Sequence, residues 1–437
     1  MIIVDKALEE RERSGNPIRV GLIGAGYMGR GITQQIIKHL PGMRISAIYN
    51  RTKSRISQAY NEAGVDLFHH ANTLSDLENL IDEDRFADVS DPTLICQAEG
   101  IDAIIEATGE VDFGSQVALK AIENRKHVII MGAEMDALVG PILKVYADQA
   151  GVVFSNTDGD QPGVVMNLLR FVRSIGYQPV LAGNIKGLQD HYRTPKTQKG
   201  FAQQHGLTPK MATSFADGTK ISMEMAIVAN ATGFKIGRRG MYGPTCDHVR
   251  EAVNLFPEDQ LLEGGLVDYV LGAEPSPGVF VIGYNNSPSR MKYMQHFKMG
   301  DGPFYVFYTP YHFPHLEAPL TVARAVLFND AAITPIGAPV AEVITMAKRD
   351  LKAGETLDGI GGFTCYGVLE NYDLSSAENL LPMSQSEGCV LIRPIKKNEA
   401  ITYNSVTLPS DRLCDYLRLK QKSFFSNIWP ATIILPY

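Results

Sequence analysis

Arg19-Val-Gly-Leu-Ile-Gly24-Ala-Gly26-Tyr-Met-Gly29-Arg30-Gly31 is the stretch that decides the fold. Val20, Leu22 and Ile23 read as a short buried strand, and Gly24-x-Gly26-x-x-Gly29 follows at once. Each glycine has its own reason. Gly24 lets the chain bend out of the strand, Gly26 lets backbone amides approach a pyrophosphate, and Gly29 lets the next helix pack on the strand. The following segment, 32–40, reads as that helix, with its N-terminal amides facing the anion. A second strand, 44–49, comes at the right distance, so a dinucleotide-binding turn is expected, with Gly24, Ala25, Gly26, Tyr27, Met28 and Gly29 as its contact residues.

The end of the second strand bears on which dinucleotide binds. An acid there holds the ribose 2′-hydroxyl of NAD, whereas a cation accommodates the 2′-phosphate of NADP. Here the chain reads Tyr49-Asn50-Arg51-Thr52-Lys53-Ser54-Arg55, with no acid and three cations. Asn50, Arg51 and Thr52 are the expected contacts, and Arg51 can grip a phosphate with its planar fork. NADP is the expected cofactor and NAD the alternative. The competing reading of Arg51, Lys53 and Arg55 is a solvated helix start.

Working outward, residues 1–155 read as a doubly wound α/β Rossmann unit. A buried strand, 102–106, ends in Ala107-Thr108-Gly109, a small-residue loop expected beside the nicotinamide; further strands are expected at 126–131 and 151–155. Ligands of such sheets lie across the carboxyl ends of the strands. Residues 156–335 read as an α+β substrate-binding and dimerisation domain, an open sheet with helices on one side. Within it, 211–225 reads as a hairpin turning at Asp217-Gly218, and 320–328 as an apolar helix able to pack back on the first unit. Pro335-Ile-Gly-Ala-Pro339 marks a linker. Residues 336–408 hold two copies of a pattern, Val343 to Glu355 and Val390 to Ile401: a short strand, basic residues, a turn, then Glu. Self-similarity of this kind implies a small pseudo-symmetric β module. Residues 409–437 are left as a C-terminal tail.

Composition excludes several classes. The chain of 437 residues is 45% hydrophobic and 20% charged, which fits a folded multidomain protein and not a disordered one. A net charge of −7 leaves no footprint for nucleic acid or an anionic membrane. No apolar run approaches a membrane span. The first residues carry Asp5, Glu9, Glu10 and Glu12 where a secretion signal needs an apolar core. Five scattered cysteines lack metal-type spacing and read as free thiols, so a reducing cytoplasm is the expected setting.

Beyond these readings the chain resembles a family. Residues 18–155 look like the cofactor domain of homoserine dehydrogenase-like oxidoreductases, and 336–408 is similar to the SAF domain, a β-clip module. The combination resembles 1-deoxy-D-xylulose 5-phosphate reductoisomerase-like proteins, whose relatives include oxidoisomerases of branched sugar acids. The motifs carrying this resemblance are Gly159-Asp160-Gln-Pro162, Glu224-Met-Ala-x-x-Ala-Asn230-Ala-Thr-Gly233, Gly240-Met-Tyr-Gly-Pro244, Ser276-Pro-Gly-Val-Phe280 and Pro310-Tyr311-His312-x-x-x-Leu-Glu317-x-Pro319-Leu-Thr-Val-Ala-Arg324. The resemblance implies an NADP-dependent oxidoreductase, with or without isomerisation, for a small polyhydroxylated carbonyl compound, sugar acid or sugar phosphate. It also implies a homodimer. Two departures stand out. Gly132-Ala133-Glu134 replaces the Asn-Lys pair of homoserine dehydrogenases, which disfavours homoserine oxidation as the alternative activity. The loop His191-Tyr-Arg193-Thr-Pro-Lys196-Thr-Gln-Lys199 is more basic than the family suggests. A third reading is a cofactor-bound sensor or scaffold with a glycan-binding SAF module.

Hydride chemistry needs a group to handle the carbonyl proton, and isomerisation adds an electrophile bridging two oxygens, either a divalent metal or an ammonium. Lys186, at the end of an apolar strand among small residues, is the first candidate. Asp160 is a second, with a helix N-cap as its structural alternative. Glu224, read as lying on one face of a strand, and His312, in an aromatic and proline-rich loop, complete the catalytic set. Arg193, Lys196 and Lys199 read first as a solvated basic loop, with a clamp for a phosphate or carboxylate as the alternative. The metal requirement stays open.

Overall fold

The protein is described here by a computed structural model covering residues 4–428. Its first unit is a seven-stranded parallel sheet: β1 (Ile18–Ile23), β2 (Met43–Tyr49), β3 (His69–Ala71), β4 (Ala87–Val89), β5 (Ala103–Glu106), β6 (His127–Ile130) and β7 (Phe154–Asn156). The order β3-β4-β2-β1-β5-β6-β7 reverses direction between β1 and β5, so the crevice for a ligand opens at the carboxyl ends of those two strands. The core strands are buried on both faces, as their continuous Val/Ile/Leu runs require.

The second unit is a four-stranded sheet in the order β11-β10-β8-β9, built from β8 (Gln178–Lys186), β9 (Leu266–Leu271), β10 (Gly278–Tyr284) and β11 (Phe304–Thr309). β8 and β9 run parallel, while β10 is antiparallel to β8 and β11. One face packs on the Gln161–Ser174 and Thr219–Thr232 helices through Val172, Ile227, Val281 and Tyr305. The other is covered by the Val249–Asn254 turn and the Glu258–Glu263 helix through Val249, Leu261, Leu266 and Phe280. The sheet is therefore sandwiched, not open on one side as the sequence suggests. Among the described residues nothing pairs with the outer edge of β11.

The expected hairpin at 211–225 is not formed. Helices Pro209–Ala216 and Thr219–Thr232 meet at Asp217-Gly218, so Glu224 lies on a helix and not on a strand. The sharp reversal is real: Gly218 has φ +89° and the Asp217 carboxylate accepts from the Thr219 amide at 2.9 Å. The second helix is buried on every side from Ile221 to Ala231, so its sequence carries no polar stripe and no helical period to read.

The Pro314–Phe328 helix returns to the first unit, where Ala318, Val322 and Ala325 share a core with Leu22, Ile32 and Ile129. The repeat at 336–408 is a physical one. β12 (Ala341–Ala347) pairs with β13 (Cys365–Asn371), and β14 (Val390–Leu391) with β15 (Val406–Thr407). Leu351 bridges Ile395 antiparallel, placing the two copies face to face. In each copy an arginine pairs with the closing glutamate, Arg349 with Glu355 and Arg393 with Glu399. Each glutamate also accepts a backbone amide at 3.0 Å, from Lys352 and Lys396 respectively. Gly354 and Asn398 take the left-handed position before each glutamate, with φ +80° and +64°.

The segment expected as a tail instead forms the Leu413–Ile428 helix; residues 429–437 lie outside the described part. It packs on the first unit, and its Gln421 amide inserts into the turn disturbed by Pro141. There the side chain accepts from the Ile142 amide and donates to the Leu138 carbonyl, both at 3.1 Å. Arg418 pairs with Glu342, tying the β module to the same helix. All five cysteines are buried and free, and among the described residues no helix is long and apolar enough to cross a membrane.

The β module holds the start of the Thr219–Thr232 helix through one buried ion pair. Lys348 Nζ lies 2.8 Å from Asp217 Oδ2, and its aligned donors go to the carbonyls of Arg193 and Gly362, each at 2.8 Å. Both partners are almost fully excluded from solvent. Replacing Lys348 with Met leaves Asp217 as an unpaired buried charge, and stability should fall by roughly 3–5 kcal/mol. Urea unfolding of Lys348→Met checks this; a midpoint equal to that of the parent protein would show the pair to be dispensable.

Candidate active site

The cradle for the dinucleotide is built as its glycines suggest. Gly24 has φ +108°, and a Cβ there would lie 2.7 Å from the Ala107 carbonyl carbon. A Cβ on Gly29 would lie 1.9 Å from the Gly24 oxygen, so only glycine allows that helix to start so close to the strand. Around Gly26 there is open space. The Tyr27–His39 helix begins with no side-chain cap, leaving its first amides free for an anion. Asn50 does structural work, accepting from the Ala25 amide at 2.9 Å. Arg51 and Thr52 are exposed beyond β2, and no carboxylate pairs with Arg51 among the described residues. Tyr27 is exposed and Met28 half-buried on the first helical turn. These residues fit a dinucleotide.

At the third loop, Thr108 donates its amide to Glu106 Oε1 at 2.9 Å and its hydroxyl to the same oxygen. Gly109 has φ +73° and open space around it. Burial pushes the Glu106 carboxyl up to about 7, against the Thr108 hydrogen bonds and with help from Glu134 and Glu110. Glu106, Gly109, Gly132 and Glu134 line one small recess at this edge of the sheet.

Glu134 links that edge to a second cluster. Asp160 ends the loop after β7 and caps the Gln161–Ser174 helix, accepting from the Gln161 amide at 3.0 Å. The structural reading of Asp160 is thus satisfied by one oxygen, and its other oxygen lies 3.8 Å from Lys220 Nζ. Lys220 is equally 3.8 Å from Glu224 Oε1, one helical turn further on. Glu224 Oε2 accepts from Asn184 Nδ2 at 3.0 Å. Asn184 sits two residues before Lys186 on β8, so both point to the same face. Asp158, by contrast, is committed to Arg324 and to the Thr321 hydroxyl.

The four sequence candidates Lys186, Asp160, Glu224 and His312 thus converge on one place, despite the different element that carries Glu224. Burial lowers the Lys186 pKa, which Glu224 resists and Lys220 reinforces. Burial pushes Glu224 up to about 7 even though Lys220 pulls it down. Burial also works against the Lys220 ammonium, but Asp160, Glu134 and Glu224 outweigh it and hold this lysine charged above its usual range. His312 is shifted down by burial, with Lys220 and Lys186 adding to that effect and Asp160 opposing it, and its Nδ1 is buried without a partner. The arrangement therefore holds one lysine whose ammonium its neighbours favour, one whose ammonium burial disfavours, and one carboxyl pushed up to about 7.

Lys220, Asn184, Glu134 and Glu106 were not singled out in the sequence. Lys220 and Glu224 stand four apart, a spacing that pairs charges only on a helix, and the hairpin reading hid it. Among the described residues no three His, Cys, Asp or Glu side chains are grouped to hold a metal ion. Arg193 pairs with Asp190, and Lys196 and Lys199 lie outside the cluster.

Comparison with known proteins fits this layout. Residues 18–130 match the oxidoreductase family with an NAD-binding Rossmann fold, and residues 159–318 match the catalytic domain described as oxidoreductase DRL. The homoserine dehydrogenase of Neisseria gonorrhoeae is 23% identical over 229 residues, covering 50% of this chain and 47% of that protein. The chain thus spans about half the length of the curated relative it matches. Among solved structures, a probable dehydrogenase from Thermotoga maritima aligns with a TM-score of 0.44 at 12% identity, covering 73% of this chain and 91% of that one. A myo-inositol dehydrogenase from Lactobacillus casei aligns with a TM-score of 0.41 at 12% identity, covering 74% and 88%. Both stretches thus match models of oxidoreductases, the first of them with an NAD-binding Rossmann fold, as the seven-stranded sheet itself has. The second of these matches spans most of the second unit, including Asp160, Lys186, Lys220, Glu224 and His312.

The raised Glu224 carboxyl has a consequence for stability. Its ordinary pKa is 4.5 and its folded value about 7, so its contribution is fully present below 4.5 and is lost as pH rises through 7. Glu224→Gln, which cannot ionise, should keep that stability across the window. Urea midpoints at several pH values read the difference, and parallel pH profiles for the two proteins would refute the raised carboxyl.

Proposed function

We propose that the chain is an NADP-dependent oxidoreductase acting on a carbonyl or alcohol of a small polyhydroxylated compound, sugar acid or sugar phosphate. The observation that carries this reading is the cluster of two half-buried lysines and two buried carboxyl groups beyond the carboxyl edge of the Rossmann sheet. The chemistry that the dinucleotide supplies when bound is hydride transfer to or from carbon. Gly24 to Gly29 and the free amides of the Tyr27–His39 helix would hold its pyrophosphate, Arg51 its 2′-phosphate, and Thr108 and Gly109 would border the nicotinamide.

The chain's own residues handle the oxygen. In reduction, Lys186 delivers a proton to the developing alkoxide; in oxidation, it takes the alcohol proton, and its lowered pKa suits both directions. Glu224 sits within reach of that lysine's field and carries a proton near neutrality, so it can replenish or accept the one Lys186 exchanges. Lys220 stays charged and stabilises the oxyanion without moving a proton. Asp160 Oδ2 is free to accept from a substrate hydroxyl, the feature that favours a polyol over a simple ketone. An isomerising step is part of the proposal: it needs positive charge across two adjacent oxygens, and Lys186 and Lys220 bring two ammonium groups to one cluster. A homodimer joined along the outer edge of β11 belongs to the same reading, and a monomer mass by light scattering at micromolar concentration would remove it.

Arg51→Asp should weaken NADPH far more than NADH, because it exchanges a phosphate-paired charge for a repelling one. The expected loss for NADPH is at least ~1.5–3 kcal/mol, a tenfold effect or more. Equal losses for both cofactors would show that Arg51 does not read the 2′-phosphate.

Lys186→Ala should cut turnover roughly a hundredfold to a thousandfold while leaving NADPH affinity intact. The lysine lies on β8, away from the glycine turn, and its charge matters only as the carbonyl oxygen changes charge. Steady-state kinetics beside a fluorescence titration of NADPH makes the comparison. Turnover close to that of the parent protein would move the proton-handling role to Glu224 or His312.

A further inference from the structure

Away from the lysine and carboxylate cluster, a cleft of ≈ 410 Å³ opens where the second sheet meets the C-terminal β module. His191, Arg238, Arg239, Tyr242, Tyr269 and Met346 line it, and no Asp or Glu does. The loop that forms its rim, 238–243, is held in an unusual shape. Gly240, Met241 and Gly243 have φ of +81°, +68° and +53°, and Met241 is a side-chain-bearing residue in the left-handed region. The buried Asp268 on β9 fixes this shape by accepting from the amides of Tyr242, Gly243 and Tyr269 at 2.7, 2.8 and 2.8 Å. Strain of this kind persists only where its surroundings over-determine it, and it concentrates where a chain presents groups to a ligand.

The group presented is Arg238. Its Nε donates to the Met241 carbonyl and its Nη2 to the Tyr242 carbonyl, each at 3.0 Å, and its guanidinium lies 5.2 Å from the Tyr242 ring centre. Those bonds lock the guanidinium but leave most of its five donors unspent. Among the described residues no carboxylate pairs with it. Its neighbour Arg239 differs, because Glu370 and Glu378 neutralise it at 2.6 and 2.7 Å. Across the cleft, His191 stacks on Tyr366 at 4.5 Å and donates from Nδ1 to the Asp217 carbonyl at 2.7 Å, which leaves Nε2 as its uncommitted polar atom. Met346 and Val368 supply an apolar floor.

An immobilised and unpaired guanidinium above an apolar floor selects a carboxylate or phosphate with a short organic body, since both accept two parallel N–H groups. We propose that this cleft is a second ligand site, taking a small carboxylate- or phosphate-bearing metabolite. It is distinct from the catalytic cluster. None of Lys186, Lys220, Asp160 and Glu224 lines it, although Tyr269 pairs with Asn184 in the β8–β9 register, so the cleft and the cluster adjoin along one face of the sheet. The two sites still share a support, because His191 holds the carbonyl of Asp217 just before the helix that carries Lys220 and Glu224.

Isothermal titration of the full chain at low ionic strength, with inorganic phosphate and separately with succinate, tests the assignment. The parent protein should bind at least one of them saturably. Arg238→Met should weaken that binding roughly tenfold or more, and Arg238→Lys, which keeps the charge but loses the fork, should fall between. Lys235→Met removes the same charge from outside the cleft, and Lys186→Ala alters only the catalytic cluster, so both should stay within about twofold of the parent. Binding of phosphate alone assigns a phosphate ligand, and binding of succinate alone a carboxylate. No saturable binding of either, equal weakening by Lys235→Met, or loss of binding in Lys186→Ala would overturn the proposal.

Discussion

Four titratable side chains, the buried Asp160 and Glu224 and the half-buried Lys186 and Lys220, converge at one meeting point, and the rest of the structure is arranged around keeping them there. Each comes from a different element or a different turn: the end of β8, two turns of the Thr219–Thr232 helix, and the cap after β7. Burying isolated charges is prohibitively costly, so such a cluster persists only when its members compensate one another. Here compensation is incomplete by design of the geometry. The ion contacts to Lys220 are 3.8 Å and not the 2.7–2.9 Å of a closed charge-assisted hydrogen bond, so each group keeps donor or acceptor capacity. That unspent capacity separates this cluster from Asp158 and Arg324 nearby, whose pairing is complete and whose work is architectural.

The remote parts of the chain gain a purpose from this requirement. The helix carrying Lys220 and Glu224 is buried along its length, and its start is pinned by Lys348 from the β module and by His191 from the loop after β8. The module is in turn tied to the C-terminal helix by Arg418 and Glu342, and that helix is wedged into the first unit by Gln421. The Pro314–Phe328 helix closes the same circle from the other side, bringing the His312 loop over the cluster while its apolar face joins the Rossmann core. The carboxyl edge of the first sheet and the lysine and carboxylate cluster are thus set relative to each other by packing on both flanks.

The sequence was most legible where glycine and burial leave little choice. The Gly24–Gly29 turn, the strands of the first sheet and the repeat around Glu355 and Glu399 follow from steric limits and local hydrogen bonds that a short stretch contains in full. The Thr219–Thr232 helix was illegible for the opposite reason: a helix surrounded by core on all sides has no polar face, and Asp217-Gly218 is an equally good signal for a strand reversal. That one misreading also concealed Lys220, whose partner spacing has meaning only on a helix. Asn184 and Glu134 belong to the site through contacts across the chain that no local pattern encodes. The C-terminal helix escaped notice because its anchor, Gln421, serves a backbone fault at Pro141 almost the whole chain away.

On the proposed reading the nicotinamide shares one common space with Lys186, Lys220, Asp160 and Glu224. A crystal structure of the chain with NADP bound measures this directly. The pyrophosphate is expected on the Gly24–Gly29 turn and the reactive face of the nicotinamide turned toward Lys186 and Lys220, leaving room for a substrate carbon about 3–3.5 Å from the ring. A nicotinamide directed away from these lysines, with the pyrophosphate in the same place, would contradict it.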